Sequence, residues 1–122
     1  MKLAVSIGAA LAVLAALPAS AQERRAATEL RIGFLNTTSG PGAIIGRHME
    51  RGWILGLEHQ GWKKDGDKLG GVPMRVFYAD DQTKPDVAVK EVEKFIKQDR
   101  VQIVSGIIWS HVLLAVQKPV LD

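Results

Sequence analysis

Short apolar runs alternate with amphipathic stretches along nearly the whole of this 122-residue chain. Residues 30–35 (Leu-Arg-Ile-Gly-Phe-Leu) form a mostly apolar run, and the cluster Thr37-Thr38-Ser39-Gly40-Pro41-Gly42 follows it; the pair reads as a buried strand and a loop. From Ala43 the period changes. Ile45, Met49, Trp53 and Leu57 recur every four residues, Ile54 widens the stripe, and Gly61 is a plausible stop, which predicts a helix. Residues 62–71, rich in Lys, Asp and Gly, read as a surface turn, and residues 72–79 as a second strand in which Pro73 is tolerable only near the beginning. After Asp80-Asp81 a second helix is expected, with Thr83 as cap, Pro85 and Asp86 in its first turn, and Ala88, Val92, Phe95, Val89 and Ile96 as its buried stripe. Residues 101–108 predict a third strand and residues 110–118 a third helix closed by Pro119, with Val120-Leu121-Asp122 as the approach to a fourth strand. Strand and helix in strict alternation predict an α/β fold, a doubly wound parallel sheet with right-handed crossovers and helices on both faces.

The first 21 residues read differently. Met1-Lys2 gives a positive start, residues 3–17 are uncharged and apolar, and Pro18-Ala19-Ser20-Ala21 ends in an Ala-x-Ala pattern, so a signal peptide over 1–21 is cut before Gln22. The apolar run is too short for a spanning helix of roughly 20 residues. Residues 22–29 form a polar leader strip, and 30–122 hold one domain or a piece of one. With Lys2 removed, 15 of the 16 Lys and Arg residues face 13 acids, a net charge of +2. The basic residues are scattered among acids, which argues against nucleic acid. The chain has no cysteine, which excludes a disulfide framework, a thiolate metal site and a lipid anchor on cysteine in a protein bound for the periplasm.

In an open parallel sheet, ligands sit beyond the carboxyl ends of the strands, where loops meet helix starts. Three segments qualify: 36–46, 80–83 and 106–111. In the first, Gly40, Gly42 and Gly46 resemble a dinucleotide fingerprint only superficially: the spacing is off by one, Pro41 removes an amide donor, and Lys63-Lys64 stand near the place of the expected acid. Glycines shaping a tight turn are the commoner reading. In the third, Ser110 either caps a helix or, with free amides beside it, receives a small anion such as a carboxylate; one residue can do both. Trp109 is a credible ligand contact. His111 beside Ser110 lacks the glycine elbow of a nucleophile, and His48 and His59 match no metal spacing, so neither a catalytic residue, a metal nor a cofactor is expected. Asp80-Asp81 either bind a cation or ammonium, or form a solvated or capping turn.

Several segments together resemble a family. These are Ile32-Gly33-Phe34-Leu35 with Thr38-Ser39-Gly40-Pro41, then Gly46 and Gly52; Leu69-Gly70-Gly71-Val72-Pro73; Ala79-Asp80-Asp81 with Pro85 and Ala88; and Val104-Ser105-Gly106 leading to Ser110. In order and over residues 30–122, they look like the leucine/branched-chain amino acid type of periplasmic substrate-binding protein of ABC transporters. The resemblance implies a type I periplasmic binding protein whose two doubly wound lobes close over a solute and deliver it to an inner-membrane ABC permease, with this chain as the incomplete N-terminal part of the first lobe. It also implies that Ser110 and nearby backbone groups hold the ligand carboxylate, and that residues 39–45, with Ser39, Gly40, Pro41 and Ile45, line the side-chain pocket. Thr83 and Trp109 stand where members with a disulfide carry cysteines. The stretch over 106–116, with Trp109 and His111, is similar to members associated with aromatic carboxylates such as benzoate.

The expected function is therefore solute capture for uptake, the ligand being a branched-chain amino acid or an aromatic carboxylate. An extracellular ligand-sensing module of a receptor is the alternative from a second class. A secreted enzyme lacks its constellation, and a chain that ends at Asp122 would be a non-functional truncated remnant.

Overall fold

The structure, a computed structural model, describes residues 28–122; the expected signal peptide and most of the leader strip lie outside the described residues. Strand β1 (Leu30–Asn36) lies in the interior of the sheet, and its alternation explains why. Ile32 and Phe34 point to one face, Leu35 to the other, and all three are buried, as befits a strand covered on both sides. Helix α1 (Ala43–His59) follows, then a two-residue strand β2 (Lys68–Leu69) and strand β3 (Val72–Asp80). Helix α2 (Pro85–Lys97), strand β4 (Ile103–Ser105) and helix α3 (Ser110–Leu121) complete the order.

The sheet runs β2-β3-β1-β4, with β3 and β4 both parallel to β1. On one face, Met49, Trp53 and Leu57 of α1 join Ile32, Phe34, Met74, Val76 and Trp62, and the Phe34 and Trp53 rings stack at 4.9 Å. On the other face, Ala88, Val92 and Phe95 of α2 and Val112 and Val116 of α3 close over Leu35. Burial of each large side chain here contributes about 1.5–3 kcal/mol. Gly33 lets the two layers approach: a Cβ there would lie 2.5 Å from Phe95 Cδ2. The expected doubly wound α/β arrangement is present.

Five local expectations are corrected. The sheet is mixed, because Lys68 and Leu69 pair antiparallel with Pro73 and Val72 inside the segment expected to be a plain surface turn. In that segment Trp62 is buried, its Nε1–H donating to the Met74 carbonyl at 3.1 Å. The third strand spans only Ile103–Ser105 rather than 101–108, because Val101 N–H turns back to the Phe95 carbonyl and Gly106 bends the chain at φ +93°. Thr83 does not cap α2: it has φ +61°, and Lys84 holds the cap position without a side-chain bond. Pro119 does not close α3, since in the last turn it forfeits one backbone bond while Asp122 N–H still reaches the Lys118 carbonyl; Val120 and Leu121 are accordingly helical.

Candidate functional site

The carboxyl ends of β1, β3 and β4 bring the three expected loops to one edge of the sheet. Parallel register places Asn36 opposite Asp80, and Asp81 N–H donates to the Asn36 carbonyl at 2.8 Å, so the first two loops leave the sheet together. Asn36 is buried and divides its amide between two partners, Nδ2 donating to the Gly46 carbonyl (2.8 Å) and Oδ1 accepting from Thr37 N–H (2.9 Å). This fastens the start of α1 to the end of β1. Two of the glycines there serve close packing and the third a turn. A Cβ on Gly46 would sit 1.7 Å from the Thr37 carbonyl oxygen, one on Gly42 would sit 2.8 Å from Trp109 Cζ2, and Gly40 turns at φ +73°.

The two acids at the end of β3 are committed to the loops. Asp80 Oδ1 accepts from Thr38 and Gln82 amides (2.9 and 3.0 Å), and Oδ2 accepts from the Ser39 hydroxyl (2.5 Å). Partial burial opposes ionisation of Asp80, but the Ser39 hydroxyl and the Thr38, Gln82 and Ser39 amides outweigh it and hold the carboxyl below its ordinary value. Asp81 is fully buried; its Oδ1 accepts from Thr37 Oγ1 (2.5 Å) and Thr83 N–H (2.8 Å). The third loop joins through Trp109, whose Nε1–H donates to Thr37 Oγ1 at 2.8 Å. His111 Nε2 lies 3.3 Å from the Thr83 carbonyl oxygen, and its ring centroid 6.5 Å from that of Trp109.

Of the residues singled out in the sequence, Trp109 and His111 thus meet the first and second loops, while Ser39 is turned to Asp80. Gly40 and Pro41 are exposed at the rim. Ser110 is exposed in the first turn of α3; the cap position belongs to Trp109, which supplies no side-chain bond, and the Ser110 hydroxyl has no protein partner among the described residues. Its expected capping role is therefore not realised. Ile45 is 48% exposed at the start of α1 instead of lying in the core stripe. A depression of about 470 Å³ lies beside this rim, lined by Asn36, Thr38, Glu50, Tyr78, Ala79 and Asp80; of the candidates singled out in the sequence, Asp80 alone is on its wall.

Thr37 and Asn36 were not legible as site-organising residues. A strand-terminal Asn-Thr pair looks like any loop entry, and only the three-dimensional convergence shows what it bonds. Among the described residues no group of three or more His, Asp or Glu side chains is placed to hold a metal ion.

Residues 29–122 match the family model described as periplasmic binding protein, and the chain belongs to that family. Solved structures agree. An ABC transporter substrate-binding protein from Sphaerobacter thermophilus is 31% identical, with a TM-score of 0.67 over 76% of this chain and 24% of that one. A solute-binding protein of an ABC transporter from Rhodopseudomonas palustris, solved with benzoate, is 31% identical with a TM-score of 0.65, covering 75% and 24% of the two chains. An ABC-type branched-chain amino acid transporter protein from the same organism is 28% identical at a TM-score of 0.65, again over 75% and 24%. The chain therefore spans about a quarter of the length of these structures. No curated protein sequence matches it. Membership implies an exported, periplasmic location, and the relatives are transport solute-binding proteins rather than enzymes.

Proposed function

We propose that the chain contributes the first part of lobe I of an ABC-transporter solute-binding protein that captures a small carboxylate-bearing ligand in the periplasm and presents it to an inner-membrane permease. The observation that carries this reading is the start of α3. Its Ser110 hydroxyl and first-turn amides are uncapped by any side chain and lie on the sheet edge where three loops converge. Unpaired helix-start N–H groups, with the positive end of the helix dipole, favour an anion. Trp109, His111, Ser39, Gly40, Pro41 and Ile45 surround or approach that edge as its selecting wall, and closure of the second lobe buries the ligand. Among the relatives, one was solved with benzoate and one is a branched-chain amino acid transporter protein, so an aromatic carboxylate and a branched-chain amino acid are the two ligand classes to test. The division into a signal over 1–21, a leader over 22–29 and lobe I from residue 30 belongs to the same proposal.

Calorimetric titration of the full-length protein with benzoate and with leucine tests it. Ser110→Ala is expected to weaken binding by about 1 kcal/mol or more, the net contribution of one hydrogen bond. An unchanged dissociation constant removes Ser110 from the site.

A further inference from the structure

The indole of Trp109 has its one polar group engaged inside the protein. Nε1–H donates to Thr37 Oγ1 at 2.8 Å, and the Thr37 hydroxyl donates to Asp81 Oδ1 at 2.5 Å. The direction of this relay is forced. An indole only donates, and Asp81 Oδ1 is already an acceptor for the Thr83 amide at 2.8 Å, so the hydroxyl between them accepts from one and donates to the other. Thr37 and Asp81 are both fully buried, so neither can trade its partner for bulk water. The ring itself rests on the first loop at Gly42, where a Cβ would come within 2.8 Å of Trp109 Cζ2, 3.1 Å of Thr37 Cγ2 and 3.2 Å of Thr83 Oγ1.

We propose that Thr37, oriented by Asp81, is a positioning residue that sets the specificity of the site by fixing Trp109 so that the indole offers its ring, and not its N–H, to the ligand. The portion of the ligand against this wall is then an apolar or aromatic body carrying no hydrogen-bond acceptor there. The proposal rests on the reading of the site given above, and the two fail in distinguishable ways.

The test uses the full-length protein, with the Trp109 indole resonance assigned in a nitrogen–proton spectrum by its loss in Trp109→Phe. In the ligand-free protein, Thr37→Val is expected to speed solvent exchange of that N–H by about tenfold or more, and Thr37→Ser to leave it slow. Calorimetry with benzoate and leucine as probes is expected to show Thr37→Val weakening the bound probe about threefold to tenfold, the range of one hydrogen bond's net worth, with no further loss in a Trp109→Phe background. Exchange unmoved by Thr37→Val overturns the positioning role, and so does faster exchange with unchanged affinity. If wild type binds neither probe, the uptake reading fails and the specificity role falls with it, while the exchange measurement still decides whether Thr37 holds the indole. Should Thr37→Val not fold, Gly42→Ala displaces the same ring without removing the hydroxyl and is expected to give the same loss of affinity; unchanged affinity there overturns the proposal.

Discussion

Gly46 shows how one missing side chain holds the site edge together. The Thr37 carbonyl occupies the space a Cβ would need, at 1.7 Å, and the Asn36 amide bonds the Gly46 carbonyl at 2.8 Å. Gly46→Ala must therefore push α1 off the loop that carries Thr37, at a cost near the upper end of overpacking penalties, about 3 kcal/mol. Gly52, in the same helix with nothing within 4 Å of its would-be Cβ, is the control: Gly52→Ala should stabilise by up to about 1 kcal/mol through helix propensity alone. Urea midpoints for the two variants check this, and shifts of the same sign would refute it. At this scale the sequence was readable where a residue announces itself by type, as Trp109 does at a loop. It was silent for Thr37 and for Asp81 as a lock, because their roles come from neighbours 72 and 44 positions away in the chain.

Helices and strands were legible wherever large side chains make the contact and illegible where small ones do. Helix α2 presents Ala88, Val92 and Phe95 to the sheet, and its spacing alone marks that face. Helix α1 approaches at its first turns through Ala43 and Gly46, so Ile45, counted in a stripe of large residues, falls outside the core. Likewise the apolar content of 101–108 hides a strand only three residues long, since Val101 and Ile107 pack against the α2 and α3 cluster without joining the ladder. The contact between β1 and α2 gives a prediction at this scale. Gly33→Ala brings a Cβ to 2.5 Å from the Phe95 ring and should cost about 1–3 kcal/mol. Phe95→Leu removes the clashing ring atoms, so the double variant should be more stable than the sum of the singles implies, by about 0.5 kcal/mol or more. Additive losses in a denaturation cycle would show that Phe95 and Gly33 do not define the layer spacing.

Across the whole molecule, β4 and α3 carry five of the eleven large apolar side chains that are exposed among the described residues, the other six lying on α1 and β3. Strand β4 pairs only with β1 among the described residues, Ile103 on it is 46% exposed, and α3 leaves Leu113, Leu114 and Leu121 exposed. An unpaired strand edge with exposed apolar side chains nearby invites pairing with another chain. The opposite end of the sheet is protected differently, by the short antiparallel β2 with its exposed Lys68, which caps the edge of β3. A polypeptide made of residues 28–122 alone should therefore self-associate through the β4 side, and Ile103→Lys should suppress the association more than a charge placed at the β2 end of the sheet, for instance at the exposed Val72 paired with Leu69, as Val72→Lys. Sedimentation over a range of concentrations distinguishes the cases. A monomer at all concentrations would mean that three residues of open edge and the α3 side chains are too little surface to drive pairing. Association suppressed equally by both substitutions would mean that net charge, and not the β4 edge, governs it.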